Sequence, residues 1–249
     1  MKKAIIEANH IYFGYEGRSI LTDASLKIYP GDFMAIVGPN GSGKSTMMKV
    51  CTGLLKPKAG SVVLFDKEIS KFKDWGKLGY IPQKATSFNQ DFPATVEEVV
   101  KANLFSRVGL MGRIKKEHIE KVHEVLDLVG MADYRHRLVG RLSGGQQQRV
   151  FIAKSLVSSP EVLFMDEPTT GIDAASEKDF YELMASLNQH KNITIVMVTH
   201  DIGAVSKNVN RTICLAEGKV LEHDISNTVD ESLNKLYGHD VTPIIHHHH

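Results

Sequence analysis

Apolar residues change their spacing several times along this 249-residue chain, and each spacing predicts a different element. Through 4–31, Ile5, Ile11, Phe13, Ile20, Leu26 and Ile28 are separated by polar positions and by Gly14, Gly17 and Pro30-Gly31, the pattern of an antiparallel β region. Short apolar runs follow at Phe33-Met34-Ala35-Ile36-Val37, Val62-Val63-Leu64-Phe65, Val162-Leu163-Phe164-Met165 and Ile193-Thr194-Ile195-Val196-Met197-Val198. Runs of that length predict buried strands, and Leu78-Gly79-Tyr80-Ile81, ended by Pro82-Gln83, reads as another. Residues 46–55 predict a helix that stops at the turn cluster Lys56-Pro57-Lys58-Ala59-Gly60. From 84 to about 159 the texture is helical. Thr95-Val96-Glu97-Glu98 is a capping box opening a run to Phe105. Ile119, Val122, Leu126 and Val129 then recur at helical spacing until Gly130. The expected organisation is an α/β core from 1–83 and 160–225, an inserted helical lobe over 84–159, and a C-terminal extension over 226–249.

Composition narrows the class without naming it. The hydrophobic fraction of 42% and charged fraction of 24% are those of a soluble globular protein. With 30 basic against 29 acidic residues the net charge is +1, which gives no footprint for nucleic acid or another polyanion. Cys51 and Cys214 lack paired spacing and read as structural thiols of a reduced compartment. No apolar run approaches the ~18 residues that a membrane span needs. Membrane work would require another chain.

The candidate chemistry sits where the buried strands end. Phe33–Val37 runs into Gly38-Pro39-Asn40-Gly41-Ser42-Gly43-Lys44-Ser45-Thr46, which fits the phosphate-loop pattern G-x-x-x-x-G-K-[ST]. The glycines let the backbone approach an anion, Lys44 adds charge for the β- and γ-phosphates, and Ser45 offers a hydroxyl to Mg²⁺. The helix that begins there points its positive dipole end at the same place. Met165 leads into Asp166-Glu167, two carboxylates whose burial demands a cation. Mg²⁺ on Asp166, with Glu167 left to polarise water, is the natural reading. Val198 leads through Thr199 to His200. In a parallel sheet these carboxyl ends share the edge where ligands bind. Ser143-Gly144-Gly145 before a helical run is either a second anion site or a plain cap. Tyr12, Phe13 and Tyr15, just before the loop, are either a stacking surface for a purine or ordinary strand aromatics.

Together, 38–46, Gln83, Leu142-Ser143-Gly144-Gly145-Gln146, Asp166-Glu167, Gly171-Ile172-Asp173 and His200 have the order and spacing of an ATP-binding cassette ATPase. The chain resembles that family over about residues 4–222, with the Leu-Ser-Gly-Gly-Gln pentapeptide intact. The resemblance implies a P-loop NTPase fold, ATP with Mg²⁺, and hydrolysis coupled to transport. It implies that Tyr15 stacks on adenine and that residues 38–46 bind the phosphates. Ser45, Asp166 and Gln83 would hold Mg²⁺, with Gln83 also sensing the transporter. Glu167 would be the general base, and His200 would hold the γ-phosphate. Ser143, Gly144, Gly145 and Gln146 would cap ATP bound by a second copy of the chain, with Asp173 at the seam of a head-to-tail dimer.

Within the family, Ser87-Phe88-Asn89-Gln90-Asp91-Phe92-Pro93-Ala94-Thr95-Val96 and Phe164-Met165-Asp166-Glu167-Pro168-Thr169-Thr170-Gly171-Ile172-Asp173 are similar to segments of zinc and manganese importer ATPases. That likeness implies divalent-metal uptake, zinc ahead of manganese, with polytopic permease subunits and an external metal-binding protein as partners. It places the chain at the cytoplasmic face of the membrane. A cassette for DNA repair or translation would carry long coiled coils or a second cassette, and a non-hydrolysing regulator would lack Glu167 or His200. His246-His247-His248-His249, with His223 and His239 before it, reads either as a native metal-binding tail or as the end of an affinity tag.

Overall fold

The computed structural model describes residues 2–83, 92–104, 113–200 and 209–223; residues 87–91 of the 87–96 segment and the histidine tail lie outside the described residues. In chain order the strands and helices are β1 (Ile6–Tyr15), β2 (Arg18–Ile28), β3 (Phe33–Val37), α1 (Lys44–Cys51), β4 (Ala59–Leu64), β5 (Lys67–Glu68), β6 (Leu78–Ile81), α2 (Val96–Ala102), α3 (Lys116–Leu128), α4 (Gly144–Leu156), β7 (Val162–Asp166), α5 (Ala174–Lys191), β8 (Thr194–Val198), β9 (Arg211–Ala216) and β10 (Lys219–His223). Contacts divide the chain into two units, one from 1–73 with 194–249 and one from 74–193.

The first unit holds two sheets. Alternation in β1 and β2 closes an antiparallel sheet of order β2-β1-β4-β5, in which Ile6 faces Ile28 on one side and Leu64 on the other. The sequence pattern assigns Ala59 and Gly60 to a turn, yet both belong to β4, because Tyr12 of β1 pairs with Ala59. β3 runs parallel to both β8 and β9, and β10 turns back antiparallel to β9. β3 and β8 are buried at every position, as strands covered on both faces must be. Ile6, Ile11, Leu21, Ile28, Phe33, Met34, Ile36, Met47, Met48 and Leu64 fill this core at under 2% exposure. Each such side chain stabilises the fold by roughly 1.5–3 kcal/mol. α1 ends at Cys51, earlier than the expected 55, with Thr52 as its C-cap and Gly53 in the left-handed region.

The second unit pairs β6 with β7 in parallel, Ile81 beside Met165. Its helices follow the apolar spacing, with Val96, Val99 and Val100 of α2 and Val122, Val125 and Leu126 of α3 buried. The Thr95 capping box forms as expected: the Thr95 hydroxyl accepts from Glu98 N–H while the Glu98 carboxylate accepts from Thr95 N–H. Gly130, at φ 69°, follows the C-cap of α3 and closes it. Among the described residues no helix is long and apolar enough to cross a membrane.

Candidate functional site

In the first unit the parallel register of β3 and β8 aligns Ile36 with Val198, so the chain leaves both strands at one edge. Gly38 lies two residues past Ile36 and the exposed His200 two past Val198, and Thr199 N–H donates to the Ile36 carbonyl at 3.3 Å. The expectation of a shared carboxyl edge is met for these two strands. The loop between β3 and α1 is shaped by glycine: Gly38, Gly41 and Gly43 have φ of 148°, 78° and 102°. At Gly38 no other residue fits, because a Cβ would lie 2.1 Å from the Leu215 carbonyl oxygen.

The loop has the features of an anion cradle. Gly43 caps α1 without a side chain, and the first turn carries no acidic residue, so the positive end of the helix is not met by a carboxylate of its own. The Ser42 hydroxyl is buried without a hydrogen-bond partner. Lys44 is 5% exposed, and its ammonium donates to the Gly38 carbonyl at 2.8 Å and the Pro39 carbonyl at 3.0 Å. A buried cation, an orphan hydroxyl and a helix N-terminus fit a polyphosphate. Pro39 and Asn40 form the outer rim, and Ser45 and Thr46 lie in the first turn of α1. Tyr15 ends β1 half exposed, its ring edge-on to Phe13 at 5.0 Å, which leaves a face for stacking. Cys51 and Cys214 are buried; burial pushes the Cys51 thiol up to about 12, and raises that of Cys214 against a partial offset from the Lys44 charge. Burial of both fits their reading as structural thiols.

In the second unit the strands again deliver the chemistry. Asp166 ends β7 at 3% exposure. The Tyr80 hydroxyl lies buried nearby; burial and then the Asp166 charge push it up to about 12. Glu167 follows at φ 47°, a left-handed conformation that costs a glutamate free energy. Gln83, two residues past β6, donates its amide N–H to that carboxylate at 2.5 Å, and the Thr170 hydroxyl donates at 3.5 Å. The structure therefore joins Gln83 and Glu167, which lie far apart in sequence.

The pentapeptide opens α4. Ser143 is its N-cap: the hydroxyl accepts from Gln146 N–H at 3.3 Å, and the Gln146 side chain accepts from Ser143 N–H at 3.1 Å. An accepting hydroxyl keeps its own proton to donate outward. Gly144 has open space where a Cβ would be, whereas a Cβ on Gly145 would come within 3.0 Å of the Ser176 hydroxyl. Asp173 caps α5 by accepting from Ser176 N–H and Oγ–H, contacts that hold its carboxyl below its ordinary value. Sequence reasoning missed Tyr80, Thr170 and Gln148; the last donates to the Pro168 carbonyl at 2.6 Å. Their only signals were the tyrosine before Pro82-Gln83 and the amide run Gln146-Gln147-Gln148.

A glycine cradle at a strand–helix junction and a carboxylate pair at a buried strand end define a P-loop nucleotide hydrolase. A family model described as "ABC transporter" matches residues 21–170. The zinc uptake system ATP-binding protein ZurA of Listeria monocytogenes is 46% identical over 213 residues, covering 86% of this chain and 83% of that protein. The manganese transport system ATP-binding protein MntB of Bacillus subtilis is 36% identical over 239 residues, covering 95% and 94%. Among solved structures, the dimeric post-hydrolysis form of the ATP-binding cassette MJ0796 bound to ADP and Pi superposes with a TM-score of 0.74 at 26% identity, covering 90% of this chain and 100% of that one. The chain belongs to the ABC transporter family, as its ATP-binding and ATP-hydrolysing component.

Proposed function

We propose that this chain powers a divalent-metal importer from the cytoplasmic face of the membrane, with zinc as cargo and manganese as the second reading. What supports the cargo is similarity: the 46% identity with a zinc uptake protein exceeds the 36% identity with a manganese one. Permease subunits would supply the membrane path and an external metal-binding protein the delivery.

The roles proposed for the residues follow from their chemistry. Tyr15 stacks on adenine; the loop amides, Ser42 and Lys44 hold the phosphates. Ser45, Asp166 and the Gln83 amide oxygen each offer an oxygen donor of the kind Mg²⁺ takes, and would hold the ion. That ion, when bound, neutralises charge that develops on the transferring phosphoryl group. Glu167 takes the proton of the attacking water, and His200 hydrogen-bonds the γ-phosphate. Ser143, Gly144, Gly145 and Gln146 of a second copy close the site and exclude other water, with Asp173 at the seam. The observation that carries this reading is the Gln83–Glu167 contact, which couples the candidate base to the residue beside the 84–91 segment.

Glu167→Gln keeps ATP binding and loses turnover, leaving an ATP-bound dimer detectable by sedimentation; hydrolysis at the wild-type rate removes Glu167 as base. For cargo, cells lacking the gene should need added zinc under chelation and recover with wild type but not with Glu167→Gln. Recovery with manganese alone reverses the order of the two metals.

A further inference from the structure

Three successive residues of α4 each reach a different part of the second unit. Gln147, 7% exposed, donates its amide to the Val139 and Leu142 carbonyls, both at 3.3 Å. Gln148, 3% exposed, donates to the Pro168 carbonyl at 2.6 Å. Arg149 donates to the Val129 carbonyl at 3.0 Å and pairs with Asp179 of α5 at 3.1 Å. Neighbours on a helix point about 100° apart, so one turn of α4 fans its side chains toward separate segments. Gln147 and Arg149 bind the helix to its own lobe and to α5. Gln148 alone of the three reaches the catalytic turn.

The position of that contact gives it its meaning. Pro168 directly follows Glu167, is itself buried, and carries a carbonyl that can serve only as an acceptor. Glu167 sits at φ 47°, a conformation that persists only when its surroundings hold it. From one side the Gln83 and Thr170 side chains hold its carboxylate. From the backbone side Gln148 holds the next peptide. Gln148 also lies only two residues after Gln146, the end of the pentapeptide.

We propose that Gln148 is a positioning residue for ATP hydrolysis, tying the helix that carries Ser143-Gly144-Gly145 to the turn that presents Glu167. This rests on Glu167 being the general base. With the tie intact, closure of α4 against a nucleotide is transmitted to the carboxylate in the same chain. Without it, the Glu167 turn loses its fixed distance from α4, while the phosphate loop in the other unit is untouched.

The test replaces the amide but keeps its shape. Gln148→Met has similar length and no donor, and Gln148→Glu is isosteric and lacks a donor when ionised. In the full-length protein both should keep the KM for ATP within about twofold and lower kcat roughly 10- to 100-fold, the scale of a small misplacement of a reacting group. Gln148→Glu should regain kcat relative to wild type as the pH falls and its carboxyl gains a proton to donate. In a Glu167→Gln background, Gln148→Met should still form the ATP-bound dimer. Wild-type kcat in both variants overturns the proposal, as does loss of that dimer, which would place the defect in the pentapeptide. If Glu167→Gln alone turns over normally, the base assignment fails first and takes this proposal with it. If Glu167→Gln is inactive and Gln148→Met is fully active, only the positioning role fails.

Discussion

At the residue scale, glycines that look alike in sequence do opposite things. Gly38 has φ 148° and its absent Cβ leaves room for the Leu215 carbonyl, so Gly38→Ala meets both backbone strain and a clash that nothing flexible can relieve. The expected cost is roughly 3 kcal/mol, and a Tm lower by roughly 6–12 °C in a chain of this size. Gly144 has no atom within 4 Å of its would-be Cβ and no unusual φ. Gly144→Ala should therefore melt within about 2 °C of wild type, as a surface change does. It should nevertheless lose ATPase activity, because the methyl group enters the space where a second chain's γ-phosphate is proposed to lie. Calorimetry and steady-state turnover on the two variants separate a glycine needed for folding from one needed for an encounter.

At the element scale, the first unit depends on how its strands begin. Asp32, 7% exposed, accepts from Tyr29 N–H at 2.9 Å and from Arg211 at 2.5 Å, and Arg211 lies over the Tyr29 ring at 5.0 Å. This cluster fastens the end of β2, the start of β3 and the start of β9. Asp32→Ala leaves the Arg211 charge partly buried and should cost about 2–3 kcal/mol, after discounting for the part of Arg211 that meets water. A fall in Tm of roughly 5–10 °C checks it. In the second unit Glu98 is held below its ordinary value by Thr95, first through the backbone N–H and then through the hydroxyl. A carboxyl with a lowered folded pKa stabilises above its unfolded pKa and loses that contribution as the pH falls through the folded one. The Tm difference between wild type and Thr95→Ala should thus be full above about pH 5 and shrink as the solution is acidified below the carboxyl's unfolded value. A difference that stays constant to acid would remove the contact between the Thr95 hydroxyl and the Glu98 carboxylate. Strands β3, β7 and β8 and the Thr95 cap were legible in the sequence because burial on both faces and capping leave local patterns. β4 was misjudged at its start because Ala59 and Gly60 are strand only by virtue of β1, a partner some fifty residues away. The loop, Asp166, Glu167 and His200 were legible as motif residues at strand ends. Gln148, Tyr80 and Thr170 were not, since their roles exist only in the fold: an amide on a polar run shows no sign of the carbonyl it will meet.

At the scale of the whole molecule, the two halves of the proposed ATP site differ in exposure. Gly38, Gly43 and Lys44 are buried, whereas Ser143, Gly144 and Asp173 are exposed at two helix N-termini. Exposed caps with an open glycine suit a partner molecule, and a relative's cassette has been seen as a dimer with ADP and Pi. A head-to-tail pair with twofold symmetry makes two sites, each from one chain's loop and the other chain's cap. Two inactive proteins should then rescue each other. Lys44→Ala disables every loop in its dimer, and Gly144→Arg, at a position with room for a side chain, disables every cap. In a mixed dimer, one site inherits both defects. The other combines the intact loop of the Gly144→Arg chain with the intact cap of the Lys44→Ala chain. Random pairing at equal amounts makes half the dimers mixed, so activity should rise from near zero to at most roughly a quarter of wild type. A site complete within one chain would give no rise at any ratio. A rise that peaks at equal amounts and vanishes when either protein is alone identifies a site shared between two copies.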